Sequence, residues 1–272
     1  EHTRVFINSQ GLPTYEAKEI GLTFKKFNLY PKLEKSIVIS ANEINTYFKV
    51  IIAAMKNIDT NIAEKMMHIG HGILRPSSGK MSSRKGNVVS AEDLIKEFKD
   101  LVNEKMKDRD FPNDEKEKIS EDIAIAGIKY MILRQATGGD VIYDPEKAVS
   151  FEGDSGPYLQ YAIVRAKTVL KKAIQEKINE KIEVYPQEIT SFEKKLLRFS
   201  EIVYRANTEY APQLITSYLT DLAGEFNSYY ANNQIIDKEN KISSYRICLT
   251  KAFVNVMANG LYILGIKVPE RM

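Results

Sequence analysis

The residues best equipped for chemistry lie in one short loop. Gly79-Lys80-Met81-Ser82-Ser83-Arg84-Lys85-Gly86 mixes cations, hydroxyls and glycine backbone, between Ile73-Leu74 and a helical pattern near Ala91. Such a loop can hold polyphosphate: Lys and Arg neutralise the anion, while hydroxyl and amide groups hydrogen-bond its oxygens. It is not a P-loop, because Met81 follows Lys80 where that motif has Ser or Thr. A plain exposed basic turn has the same composition. A second set is Tyr158, Tyr161 and Arg165, spaced i, i+3 and i+7 and therefore on one helix face. Rings beside a guanidinium can stack on unpaired RNA bases and meet a phosphate. Two core tyrosines beside a solvated Arg would show the same spacing. A third set is Tyr15 and Glu19, which follow the turn Leu12-Pro13-Thr14 and share one side of a helix. A carboxylate placed there can hold a guanidinium through two parallel hydrogen bonds, although an exposed helical Glu is the plainer alternative.

The totals narrow the setting. The 272 residues suffice for two domains or one large one, and 43% hydrophobic with 28% charged residues is the composition of a soluble folded chain. No apolar run approaches the roughly 18 residues of a membrane span, and no signal peptide opens the sequence. The single cysteine, Cys248, rules out an internal disulfide framework and a Cys-based zinc site, so no metal site is expected and a reducing cytoplasm is. A net charge of +3 is too small by itself to name a nucleic-acid partner.

Two textures divide the chain. Up to about residue 95, short β-type runs alternate with helical patterns: Arg4–Ile7 and Ser36–Ser40 as strands, and a helix from about Asn42 to Met55. That alternation suggests part of a parallel α/β sheet. A helix is expected over 92–108 and a charged linker over Asp108–Lys118, which contains Pro112. Beyond Ser120, helices are expected over 120–136, 155–178, 186–208, 211–232 and 242–264, broken at Gly138-Gly139 and Gly153–Pro157. Pro157 in a first turn starts a helix cleanly. The domains read as 1–118 and 119–272: the second half of a Rossmann-type nucleotide-binding core, then an all-helical bundle. The opening at Glu1, with no element before it, suggests a chain that begins inside a larger protein.

The order Lys80-Met81-Ser82 resembles the KMSKS loop of class I aminoacyl-tRNA synthetases. The segment Ser150–Arg165, the approach Asp122–Tyr130 and Val141–Asp144, and the end Asn259–Met272 resemble the arginine members, so the resemblance covers nearly the whole chain. It implies ATP-dependent formation of arginyl-adenylate and transfer of arginine to the tRNA 3′ end. ATP, with Mg²⁺ accompanying it, L-arginine and arginine tRNAs would be the ligands, with no membrane and a monomeric enzyme. Lys80, Met81, Ser82 and Ser83 would hold ATP, and Lys80 with Arg84 or Lys85 would stabilise the departing pyrophosphate. Ser83 and Arg84 stand where the family has Lys and Ser.

By the same resemblance, Gly70, Gly72 and Ile73 would line the adenine. Tyr15 and Glu19 would hold arginine, with Glu19 in place of the family's Asp, and Asn42 and Glu43 stand near the family's Gln. Tyr158, Tyr161, Arg165, Tyr229 and Met272, the last at the position where the family ends, would meet the tRNA anticodon loop. His68-Ile69-Gly70-His71 spells the other class I signature but lies only eight residues before Lys80, and is read as a chance match. The true signature would lie upstream, so the chain alone is expected to be inactive. A stand-alone tRNA-binding module without catalysis is the alternative.

Overall fold

A computed structural model describes residues 3–76, 90–109, 111–178 and 181–272. The chain forms two compact units, Glu1–Ile73 with Thr137–Asp140, and Leu74–Ala136 with Val141–Met272.

In the first unit, the expected strand at residues 4–7 is only an isolated antiparallel bridge, Ile7 to Pro13. The Asn8 side chain caps the intervening turn, accepting from the amides of Gln10 and Leu12 at 2.9 Å, and Gly11 supplies the left-handed backbone, φ 75°. The helix α1 (Tyr15–Leu29) follows. The strand β1 (Ser36–Ala41), a 3-10 turn (Asn42–Ile44), α2 (Asn45–Ile58), α3 (Thr60–Glu64) and β2 (Met66–His71) make a βαβ unit. Here β1 and β2 are parallel, in register from Ser36 opposite Met66 to Ala41 opposite His71. Phe48, Ile51 and Met55 form the buried stripe of α2, and Phe48 stacks on His68 at 4.3 Å. On β1 the alternate residues Ile37 and Ile39 remain exposed. The tetrapeptide His68–His71 is thus the second part of a paired strand.

The second unit begins with β3 (Leu74–Pro76), which pairs in parallel with β4 (Val141–Tyr143). The helix α4 (Ala91–Lys105) starts at a capping box made by Ser90 and Asp93. Next, α5 (Asn113–Leu133) begins inside the stretch expected as linker. Pro112 at its cap, with Asp114 and Glu115 in its first turn, turns that charged run into a helix start. After α6 (Pro145–Ala148) come α7 (Gly156–Gln175), α8 (Ser191–Leu197), α9 (Phe199–Glu209), α10 (Gln213–Asn232) and α11 (Ser243–Ile263). The single helix expected over 186–208 is therefore two. A capping box at Thr190 and Glu193 starts the first of them, and the second resumes at Phe199.

Two apolar clusters hold this unit. The larger gathers Leu159, Ile163, Phe192, Leu219, Phe226 and Phe253, with Phe226 and Phe253 stacked at 4.1 Å. The smaller lies under α4 and α5, around Phe98, Val102, Ile119 and Ile123. At the foot of α7, a Cβ on Gly156 would come 2.2 Å from the Ala126 carbonyl oxygen, so α5 and α7 close there only around glycine. Among the described residues no helix is long and apolar enough to cross a membrane.

Candidate functional site

The clearest constellation rises from the start of α7. Ser155 is buried at the N-cap, accepts from the Tyr158 amide at 3.1 Å and donates to the Ser150 carbonyl. That cap and Pro157 fix where the helix begins, and so which face carries Tyr158, Tyr161 and Arg165. Arg165 donates from Nη2 to the Tyr161 hydroxyl and from Nη1 to Asn227 Oδ1, each at 3.0 Å. Asn227 Nδ2 in turn donates to the Tyr158 hydroxyl at 3.0 Å. The guanidinium lies 4.7 Å from the Tyr161 ring centre and 5.4 Å from that of Tyr230. Its polar partners are neutral, and no ion pair is formed by Arg165 among the described residues. Its positive charge thus stays available to an anion.

Two neighbouring cavities open on this cluster, of about 500 and 680 Å³. Arg109, Tyr161, Arg165 and Met272 line both. Lys105 and Tyr158 face the first, Lys172 and Tyr230 the second. The arrangement offers flat rings, a guanidinium and further cations in a groove, which suits an unpaired base and its phosphate.

The two adjacent tyrosines of α10 face different surroundings. Tyr229 turns inward, with its ring 5.2 Å from Phe192, and burial pushes its phenol pKa up. It shares the core-facing stripe with Phe226, three residues before it. Tyr230 is the groove residue, and it shares a face with Asn227. Asn227 and Arg109 were not anticipated. The only local signal for Arg109 is the basic run Lys105, Lys107 and Arg109.

Met272 is half-buried on the smaller apolar cluster. Arg271 holds it there: Nε donates to Glu115 Oε1 at 2.6 Å, Nη2 donates to Oε2, and the guanidinium lies 4.9 Å from the Phe111 ring centre. The segment leaves α11 by a Schellman turn, with Gly265 at φ 66°, the Gly265 amide donating to the Tyr262 carbonyl and the Ile266 amide to the Leu261 carbonyl. Gln160, fully buried, then donates to the Lys267 carbonyl at 2.6 Å.

In the first unit, Tyr15 is exposed, and its carbonyl accepts from the Tyr47 hydroxyl at 3.1 Å. Glu19 is half-buried, and its charge helps raise the Tyr47 pKa, chiefly a result of burial. Glu16 is the buried carboxylate of α1, and it pairs with Arg4 at 3.4 Å. Past β1, Asn42 donates to the Gly138 carbonyl at 2.6 Å and accepts from Asn45 at 3.3 Å, while Glu43 is exposed.

Gly72 is required by the chain's own packing against backbone, whereas Gly70 faces the side-chain ends of Asn42 and Asn45. A Cβ on Gly70 would come 2.3 Å from Asn45 Oδ1, and one on Gly72 2.1 Å from the Gly139 carbonyl oxygen. The Ile73 amide donates to Asp140 at 3.0 Å. His68 meets the Ser40 hydroxyl at 2.7 Å, and burial lowers its pKa, favouring the neutral ring. Lys80, Met81, Ser82, Ser83, Arg84 and Lys85 lie outside the described residues.

Comparison with known proteins bears on both units. Residues 2–144 match the family model described as tRNA synthetases class I (R), catalytic domain. Residues 159–272 match the DALR anticodon binding domain. The arginine–tRNA ligase of Limosilactobacillus reuteri is 31% identical over 98% of this chain and 48% of that relative. That of Parabacteroides distasonis is 28% identical over 99% of this chain and 47% of that relative. The arginyl-tRNA synthetase of Thermus thermophilus superposes with a TM-score of 0.84 at 26% identity, over 99% of this chain and 51% of that one. The chain thus spans about half the length of the curated relatives it matches. With a class I catalytic-domain match over more than half its residues and an anticodon-domain match over most of the rest, the chain belongs to the arginyl-tRNA synthetase family.

Proposed function

We propose that this chain is the part of an arginine–tRNA ligase that completes the activation site and grips the tRNA anticodon loop. The observation that carries the reading is Arg165, set between Tyr161 and Tyr230 beside two cavities. An unpaired base can stack on either ring while the guanidinium meets its phosphate.

The reaction would proceed by attack of the arginine carboxylate on the ATP α-phosphate, with release of pyrophosphate. A ribose hydroxyl at the tRNA 3′ end then takes the arginyl group. No covalent enzyme intermediate is needed, so the protein acts by positioning and by stabilising charge. The C-terminal ends of β1 and β2 are where open α/β sheets bind ligands. There the proposal assigns Gly70, Gly72 and Ile73 to the adenine side. Lys80, Met81, Ser82 and Ser83 are assigned to the phosphates, with Arg84 or Lys85 as the second cation. The backbone packing of Gly72 explains glycine there without any nucleotide, and Gly70 sits against the Asn42 and Asn45 side chains. The proposed role of both glycines is therefore to shape the backbone under the base. No group of three or more His, Cys, Asp or Glu side chains among the described residues could hold a metal. Mg²⁺ in this reading travels with the ATP phosphates. Tyr15, Glu19, Asn42 and Glu43 are proposed for arginine, and here Asn42 acts through the backbone: both ends of its amide are engaged within the chain. A monomer in the cytoplasm completes the reading, and the exposed free thiol of Cys248 suits a reducing compartment.

The chain by itself is proposed not to form adenylate. Among the described residues its βαβ unit is two strands wide, and β1 exposes Ile37 and Ile39, where parallel sheets are ordinarily covered on both faces. ATP–pyrophosphate exchange with arginine and tRNA tests this. The chain alone should show none, and a parent protein carrying an upstream half should exchange only with arginine. Robust exchange by the chain alone would refute its proposed inactivity. Exchange driven by another amino acid would refute the assignment to arginine.

A further inference from the structure

We propose that Arg109 is a phosphate contact of the RNA groove, so that the loop site is shared between the class I stretch and the anticodon domain. The inference rests on the loop-binding reading and extends it to a residue outside residues 159–272, the anticodon-domain match.

Arg109 follows the C-terminal end of α4, its amide donating to the Met106 carbonyl at 3.0 Å. Its side chain is exposed and lines both cavities, as do only Tyr161, Arg165 and Met272 besides it among their described walls. No hydrogen bond or ion pair engages its guanidinium among the described residues. The nearby cations differ in this respect: Lys105 pairs with Glu146 at 3.4 Å and Lys172 with Glu176 at 3.7 Å. Arg109 and Arg165 are thus two guanidinium groups lining one groove; Glu152 lines the first cavity too, and among the described residues it forms an ion pair with neither. Guanidinium groups bind phosphate through paired N–H donors.

The wall that carries Arg109 is held to the rest of the groove. Arg271 bridges to Glu115 and lies over Phe111, fixing Met272 between the α4–α5 connection and α7. One chain path therefore supplies the rings and Arg165, and another the second cation.

The test is fluorescence anisotropy of the full chain with a labelled synthetic anticodon stem-loop of an arginine tRNA, titrated across salt. Each phosphate contact contributes about 0.7–1 to the slope of log K against log salt. Arg109→Gln should weaken binding on the order of tenfold at low salt and flatten the slope by about one contact, while Arg109→Lys keeps the slope. Lys171→Gln, an exposed change on α7 away from both cavities, should alter neither. If Arg109→Gln matches the unmodified chain while Arg165→Ala weakens binding, the Arg109 assignment falls and the loop site stands. If the chain does not bind, or Arg165→Ala also changes nothing, both fall.

Discussion

Arg165 hydrogen-bonds the Tyr161 hydroxyl at 3.0 Å while its guanidinium lies 4.7 Å from the centre of that same ring. The tyrosine is thereby both an anchor for the cation and a platform for a base. The two roles separate by substitution. Tyr161→Ala removes the platform and should weaken stem-loop RNA binding by about 1–3 kcal/mol, the range for base–aromatic stacking. Tyr161→Phe keeps the ring and loses one hydrogen bond, so its loss should be about 1 kcal/mol or less. Anisotropy titration measures both. A Phe variant as weak as the Ala variant would show that the ring itself carries nothing.

A polar knot holds α5, the loop before α7 and α10 together. Tyr130 donates to Asp154 and meets the Thr220 hydroxyl at 2.7 Å, while Arg134 Nε donates to Asp154 at 3.1 Å. Burial pushes the Asp154 carboxyl up, but the hydrogen bonds from Tyr130 and Arg134 outweigh it and hold the pKa below its ordinary value. A carboxylate with a lowered folded pKa stabilises the fold above its unfolded value, near 3.9, and that stability disappears as pH falls through the folded value. The melting temperature of the second unit should therefore drop as pH falls below about 4. Asp154→Asn should be less stable at neutral pH and show a shallower acid decline. An unchanged acid limb in that variant would remove Asp154 from the account.

Two glycines should respond in opposite directions to alanine. Gly156→Ala drives a methyl to within 2.2 Å of the Ala126 carbonyl oxygen, a backbone atom that cannot turn aside. It should destabilise the second unit by about 1–3 kcal/mol or more. Gly21 sits inside α1 with nothing within 4 Å of its would-be Cβ. Gly21→Ala should stabilise the first unit by about 0.5–1 kcal/mol. Hydrogen exchange resolves the two units separately. A neutral Gly156→Ala would mean that α5 and α7 have room to part.

What the sequence disclosed was what local chemistry encodes. The cap and proline at Ser155–Pro157 placed the start of α7, and β1 and α2 were legible from a strand run followed by helical periodicity. Charge alone misled at Asp108–Lys118, where Pro112 and the acids behind it begin a helix. The bridge at Ile7 and Pro13 reads like a strand because its residues are apolar, yet only one pairing forms. The groove was half legible. Tyr158, Tyr161 and Arg165 share a local spacing, so a pattern could find them. Arg109, Asn227 and Tyr230 join them only through the packing of distant helices, which no short window records. Tyr229 and Tyr230 are neighbours in sequence, and the distinction between them depends on which face of α10 the core takes.

The central claim is that the cation–ring groove reads an arginine tRNA and is more than a basic surface. Competition binding at near-physiological salt tests it most directly, with labelled arginine tRNA on the chain displaced by other tRNAs. The account predicts that arginine tRNA is retained against equal amounts of the others, and that Arg165→Ala or Tyr230→Ala abolishes this preference. Equal displacement by every tRNA, with the same affinity in the variants, would contradict it.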